Sequence, residues 1–270
     1  GAFDFIEKPL SIDRLLTAVR NGLSMASLRE ENRRLRSAVL REDEIIGDSA
    51  AIREVRDLAD QAARSDARVL ITGENGTGKE LVARRIHRTS VRAPGPFVAV
   101  NCAAIPDTLI ESELFGHEKG SFTDAVSRRI GKFESADGGT LFLDEIADMS
   151  LSAQAKVLRA VQDMRFERIG GQESLTVDVR VMAATNKDLE AEIAAGRFRE
   201  DLYFRLAVVL VRVPPLRDRR EDIPELCRFF LAQKPGGNGQ GRELSAGALR
   251  FLSGHDWPGN IRELRNLMER

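Results

Sequence analysis

Residues 73–80 read Gly-Glu-Asn-Gly-Thr-Gly-Lys-Glu, between an apolar run, Val69-Leu-Ile, and a helix-like one, Leu81-Val-Ala-Arg-Arg-Ile. Glycines at 73, 76 and 78 let consecutive backbone N–H groups turn inward around a polyphosphate, and the start of the following helix adds positive potential. Lys79 supplies a point charge for the β- and γ-phosphates. A Gly-rich strand-to-helix turn without a ligand fits the same residues, and Glu80 stands where Ser or Thr ordinarily holds Mg2+ through its hydroxyl. A second motif has to decide between these readings.

That motif is Gly138-Gly-Thr-Leu-Phe-Leu-Asp-Glu145, an apolar strand ending in two carboxylates. A strand that delivers Asp144 to its C-terminal edge, beside a phosphate loop, lets a nucleotide-hydrolysing site hold Mg2+ directly or through water. Glu145, one residue on, is placed to orient and deprotonate the attacking water. Alone, the segment reads equally well as a buried strand capped by two solvated acids. With the glycine loop upstream, it predicts binding of a nucleoside triphosphate and its hydrolysis.

Strand patterns at 68–72, 97–100, 140–143, 179–184 and 208–213 alternate with helical ones, which predicts an α/β fold with a parallel sheet covered on both faces. After Pro214-Pro215 the pattern is helical. Lys234-Pro-Gly-Gly-Asn-Gly-Gln-Gly241 interrupts it and reads as a flexible loop. Ser245 is placed as an N-cap, and Trp257-Pro-Gly-Asn260 turns into a last helix bearing Ile261, Leu264, Leu267 and Met268. This end reads as a helical lid. Ahead of the α/β segment, residues 1–22 hold a short apolar stretch and an amphipathic helix with Ile12, Leu15, Leu16 and Val19. Met25, Leu28, Asn32, Leu35 and Val39 then follow coiled-coil spacing for barely two heptads, and a solvated single helix fits them as well.

The 41 basic residues nearly balance the 42 acidic ones, so this segment lacks the basic footprint of nucleic-acid binding. No apolar run approaches the roughly 18 residues of a membrane span and no signal peptide opens the chain, which predicts a cytoplasmic protein with no membrane partner. Cys102 and Cys227 lack metal-ligand spacing and read as buried free thiols.

Together these residues resemble the AAA+ domain of bacterial enhancer-binding proteins, the NtrC-like activators of sigma-54 RNA polymerase. The likeness runs through nearly the whole chain. It covers Gly73–Glu80, including the Glu after the Lys; Glu113-Leu-Phe-Gly-His-Glu-Lys-Gly-Ser-Phe-Thr-Asp-Ala125; and Phe198-Arg-Glu-Asp-Leu-Tyr-Phe-Arg-Leu206. Pro214-Pro-Leu-Arg-Asp-Arg and Trp257-Pro-Gly-Asn-Ile-Arg-Glu-Leu264 complete it. The resemblance implies a five-stranded AAA+ subdomain over 45–213, a lid over 214–270, a coiled-coil linker over 23–44 and the end of a receiver domain over 1–22. In that receiver, Lys8 before Pro9 contacts the phosphorylated aspartate.

The resemblance also implies roles, position by position. Ile46 and Gly47 contact adenine, and Gly73, Glu74, Asn75, Gly76, Thr77, Gly78, Lys79 and Glu80 surround the phosphates of ATP. Asp144 holds Mg2+. Asn101 holds Glu145 in an inactive pose, Thr185 and Asn186 match sensor I, and Arg262 matches sensor II. Arg199 and Arg205 reach the neighbouring subunit's γ-phosphate. Surface salt bridges remain the alternative for the arginines, and a strand-end cap for Asn186. Gly120, Ser121, Phe122, Thr123, Asp124 and Ala125 form the sigma-contacting loop, where the family reads Gly-Ala-Phe-Thr-Gly-Ala. Asp124 adds a charge and removes the glycine's freedom to take positive φ.

The implied partners are further copies of the chain, dimeric when inactive and a hexameric or heptameric ring when active, together with sigma-54 RNA polymerase. Enhancer DNA would bind through a C-terminal helix-turn-helix and a sensor histidine kinase would act through the receiver, both outside this chain. The rival expectation is a nucleotide-gated response regulator that acts without sigma-54 contact.

Overall fold

The computed structural model describes residues 12, 16, 19–27, 44–121, 125–232 and 244–270. Two units separate, residues 1–44 and 45–270. In the first, the described backbone is helical over 19–27, and Ile12, Leu16, Val19 and Leu23 are exposed. Lys8, Leu15, Leu28, Asn32, Leu35 and Val39 lie outside the described residues, as do Phe122, Thr123, Asp124 and the glycine-rich 234–241 segment.

In the second unit the strands run in chain order as β1 (Val69–Thr72), β2 (Phe97–Asn101), β3 (Gly116–His117), β4 (Arg129–Ile130), β5 (Thr140–Asp144), β6 (Arg165–Glu167), β7 (Ser174–Thr176), β8 (Arg180–Thr185) and β9 (Val209–Arg212). Five of them pair in parallel in the order β2-β5-β8-β1-β9. Side chains alternate across a strand, so these apolar runs feed two cores. Leu70, Leu141, Leu143, Val181 and Ala183 face one side, packed with helices Asp107–Phe115 and Leu151–Asp163. Val69, Ile71, Phe142, Met182, Ala184 and Val211 face the other, against helices Ala50–Ala63 and Lys79–Thr89. Both faces are covered, as a fully apolar parallel sheet requires.

Four N-caps fix where helices begin: Ser49, Ser150, Asp188 and Ser245 each accept a backbone N–H from the first turn. Beyond β9, a 3-10 segment Leu216–Asp222 and helices Ile223–Ala232, Ala246–Gly254 and Asn260–Glu269 enclose a separate apolar core around Leu216, Leu226, Trp257 and Leu264. The indole of Trp257 donates to the Leu252 carbonyl at 2.8 Å, which satisfies its buried N–H. Both cysteines are buried and unbridged. Among the described residues, no helix is long and apolar enough to cross a membrane.

Two short hairpins were not visible in the sequence. β3 pairs antiparallel with β4, and β6 with β7. They are joined by hydrogen bonds of 3.0 Å from Glu118 N–H to the Ile169 carbonyl and from Ile169 N–H to the Gly116 carbonyl.

Candidate nucleotide site

Because the strands are parallel, Thr72, Asn101, Asp144 and Thr185 arrive at one edge of the sheet, Asn101 beside Asp144 and Thr72 beside Thr185. The loop after Thr72 runs along that edge into helix Lys79–Thr89. Gly76 and Gly78 hold φ of +77° and +99°, where a side chain would be strained.

Lys79 is buried, and its ammonium donates to the Gly73 carbonyl at 2.9 Å and to Glu145 Oε1 at 3.2 Å. The other oxygen of Glu145 accepts the Asn186 N–H at 3.0 Å. Glu145 itself has φ +52°, an uncommon conformation for a non-glycine residue that functional sites often impose. The loop lysine, Glu145 and the end of β8 therefore form one cluster. Thr185 is fully buried at that end, and its hydroxyl accepts the Lys187 N–H at 3.1 Å.

Asp144 Oδ1 accepts the Glu145 N–H at 3.1 Å. Burial, and after it the adjacent Glu145 charge, push its carboxyl above the usual aspartate range, with Lys79 pulling the other way. No cation among the described residues forms an ion pair with this carboxylate. Among the described residues, no group of three or more His, Cys, Asp or Glu can hold a metal by itself. Mg2+ takes one or two carboxylates and completes its shell with water and substrate phosphates, a demand that the Asp144 carboxylate can meet. Glu80 is turned elsewhere, paired with Arg84 at 2.7 Å one helical turn on.

Asn101 departs from expectation. Its Oδ1 caps the 3-10 turn Cys102–Ala104, accepting the N–H groups of Ala103 and Ala104 at 3.0 and 3.1 Å. The carboxylate of Glu145 is held by Lys79 and Asn186 instead. Unsatisfied N–H groups two and three residues on are the nearer demand on a residue ending a strand.

At the other end of the site, a Cβ on Gly47 would overlap the Asp222 carboxylate. Buried Asp222 accepts the N–H groups of Asp48 and Ser49, each at 2.8 Å, and the Ser49 hydroxyl at 2.7 Å. Ile46 packs against the lid core. The segment expected beside adenine is thus stitched to the lid. Exposed Arg262 has its Cβ beside Gly76 of the phosphate loop and no ion pair among the described residues.

The two remaining arginines belong to one short helix. Arg199 forks Asp201 at 3.0 and 2.7 Å, at the start of helix Glu200–Leu206. Arg205, half-buried, reaches the Gln162 carbonyl at 3.5 Å, with its Nε buried and unbonded. It lies close enough to Arg68 to oppose that residue's charge, and Arg68 precedes β1, whose far end carries the phosphate loop. A four-residue strand spans roughly 13 Å. Arg205 is therefore on the opposite edge of the sheet from its own phosphate loop.

In the 120–125 loop, the Gly120 N–H donates to the Ala125 carbonyl at 2.8 Å, closing its base. The Ser121 hydroxyl is buried without a hydrogen-bond partner among the described residues, and its Cβ lies against Gly170 of the second hairpin. Buried Arg168 follows β6 and bonds Glu118, beside β3, at 3.1 Å and Glu134, on the short helix Lys132–Ser135, at 2.8 Å.

Sequence reasoning missed three lid residues that touch the phosphate loop, namely Arg217, Arg219 and Asn260. The signal was present, since all three fall in the Pro-Pro-Leu-Arg-Asp-Arg and Trp-Pro-Gly-Asn motifs, but nothing local to those motifs says what they meet.

The family described as Sigma-54 interaction domain matches residues 45–212, and the AAA+ ATPase lid domain matches 217–270. The regulatory protein AtoC of Escherichia coli is 49% identical over 100% of this chain and 59% of its own. The Nif-specific regulatory protein of Azotobacter vinelandii is 58% identical over 76% of this chain and 39% of its own. The solved structure of NtrX from Brucella abortus in complex with ADP aligns with a TM-score of 0.86 at 46% identity, covering 100% of this chain and 60% of that one. The chain thus spans 39% to 60% of the length of these relatives.

Proposed function

The chain belongs to the sigma-54 interaction-domain family of AAA+ P-loop ATPases, and on that premise we propose that it hydrolyses ATP to remodel sigma-54 RNA polymerase. The observation that carries the proposal is the cluster of Lys79, Asp144 and Glu145 against the phosphate loop. ATP enters between the 46–49 segment and that loop, with its γ-phosphate at Lys79. The polyphosphate competes with Glu145 for the ammonium, which frees the carboxylate to take a proton from water. Asp144 would hold Mg2+, whose chemistry is to neutralise charge on the β- and γ-oxygens.

The position of Arg205, away from its own phosphate loop, supports a role toward the phosphate of a neighbouring copy in a head-to-tail ring. Hydrolysis would then move the loop carrying Phe122 and Thr123 against sigma-54. Control would come from a receiver domain ending at residue 22, whose phosphorylation releases an inactive dimer, and enhancer DNA would be held by a domain following residue 270. Such a regulator works in the cytoplasm. One residue favours the second reading, since Asp124 places a carboxylate where the family's loop has glycine.

The test is ATP hydrolysis with and without sigma-54 holoenzyme, followed by open-complex formation on a sigma-54 promoter. Hydrolysis, together with sigma-54 capture by the protein loaded with a transition-state analogue, is the expected result. Hydrolysis with no capture in any nucleotide state makes the chain a regulator that works without sigma-54. Absence of hydrolysis in assembled protein overturns the remodelling reading, and absence of nucleotide binding overturns both.

A further inference from the structure

The two lid motifs left without a role converge on the outer side of the phosphate loop. Asn260 is fully buried, at φ +54°. Its Nδ2 donates to the Asn75 carbonyl at 3.0 Å and to Glu74 Oε2 at 3.2 Å, while its Oδ1 accepts the Leu216 N–H at 2.8 Å. The next residue, Ile261, donates its N–H to the Gly76 carbonyl at 3.0 Å. Buried Arg219 donates from Nη2 to the Thr77 carbonyl at 3.1 Å. Three consecutive loop carbonyls therefore end on lid donors. Arg217 adds a fork to Glu74 at 2.5 and 2.9 Å, and this guanidinium holds the Glu74 carboxyl down to about 2.

The consequence is geometric. In a trans peptide the carbonyl and the following N–H point opposite ways. Pulling the carbonyls of Asn75, Gly76 and Thr77 outward turns the N–H groups of Gly76, Thr77 and Gly78 inward, as an anion-binding nest requires. Of these three N–H groups, only that of Thr77 has a protein partner among the described residues, a long 3.4 Å bond to the Glu74 carbonyl. Glycines at 76 and 78 leave the loop free to take other shapes, so something outside it must hold this one. The lid supplies that hold.

We propose that Asn260, Arg219 and Arg217 are positioning residues of the nucleotide site. By holding the loop's carbonyls and Glu74, the lid keeps the phosphate nest formed, and a lid that swings away lets the nest collapse and release nucleoside diphosphate. The proposal rests on the reading of this loop as a nucleotide site. It makes lid position a determinant of product release, separate from the chemistry at Glu145.

The experiment is stopped-flow dissociation of a fluorescent ADP analogue from the whole chain, with thermal melting as a check of folding. Asn260→Asp keeps the size, tolerates positive φ and preserves the acceptor for Leu216, but sets a carboxylate against Glu74 and the Asn75 carbonyl. Release should be about tenfold faster, within the range for losing the two hydrogen bonds that Nδ2 donates, with association little changed. Glu74→Gln and Arg217→Gln should each speed release about threefold, and the double variant should be no faster than either, since both remove one interaction. If Asn260→Asp fails to fold, these two exposed-site variants decide. A wild-type chain that binds no ADP overturns the nucleotide-site reading. Binding by the wild type, with folded variants that release ADP at its rate, overturns the lid's role alone, even if their melting temperatures fall.

Discussion

Burial and a neighbouring carboxylate both oppose the charge on Asp144. A folded-state pKa raised above the unfolded value means that the folded chain binds the proton more tightly. Asp144 therefore costs stability as pH rises from the ordinary aspartate value of about 3.8 through its raised folded value, and that cost is fully present above the latter. Asp144→Asn should raise the melting temperature of the nucleotide-free protein at neutral pH while abolishing Mg2+-dependent hydrolysis. The stabilising effect should vanish at pH values below the aspartate range, which calorimetry across pH can follow. Glu145→Gln behaves differently, because it keeps shape and the Asn186 hydrogen bond but removes the base. Nucleotide affinity should persist while turnover falls roughly 10²–10⁴-fold, a split measured by equilibrium binding and steady-state kinetics on one preparation. The placement of Lys79, Asp144 and Glu145 at one end of the sheet was legible in the sequence because two local motifs and one strand direction fix it. Asn101 was not, because whether it caps a turn or holds Glu145 depends on orphan N–H groups that form only when the chain folds.

Among elements, the central strands were the most legible, since continuous apolar runs such as Val69-Leu-Ile and Leu141-Phe-Leu can sit only in a sheet covered on both faces. The hairpins β3–β4 and β6–β7 escaped because strands of two or three residues carry no period to read. The same difficulty hid the lid's grip on the phosphate loop, where the partners are some 140 to 190 residues apart. Helix Glu200–Leu206 carries the prediction at this scale. Its Arg205 lies across the sheet from its own phosphate loop, and in the proposed ring its guanidinium would act on another copy. Arg205→Ala and Glu145→Gln proteins should each be nearly inactive alone. Mixed in equal amounts they should regain a fraction of wild-type hydrolysis, because some interfaces then join an intact base to an intact arginine. Proven co-assembly without recovered activity would make Arg205 structural, its bond to the Gln162 carbonyl being the reason.

On the scale of the whole molecule, the proposed ring makes assembly rather than folding decide activity, because a site whose arginine comes from a neighbour would be incomplete in one copy. The segment before the ATPase unit is suited to controlling that step. Ile12, Leu16, Val19 and Leu23 are 51–76% exposed, and their spacing puts them along one helical face. The sequence continues the apolar seam through Met25, Leu28, Leu35 and Val39, with Asn32 at a position that favours two parallel strands at a cost in stability. Two heptads alone are too short to pair, since isolated helices of that length are marginal in water, so the preceding helix must share the contact. A parallel pair clamped here relates its two ATPase units by a twofold axis, whereas a ring needs a head-to-tail contact that a twofold pairing does not supply. Light scattering in the presence of ATP should therefore find mainly dimers of the intact chain and larger assemblies once residues 1–44 are removed. Leu28→Asp combined with Leu35→Asp should reproduce the deletion, because each new carboxylate would face its own copy across the seam. Hydrolysis per subunit should rise several-fold in both cases, and more steeply with protein concentration than in the intact chain. A monomeric intact chain, or one already in stable rings before any deletion, would remove the clamp from the mechanism.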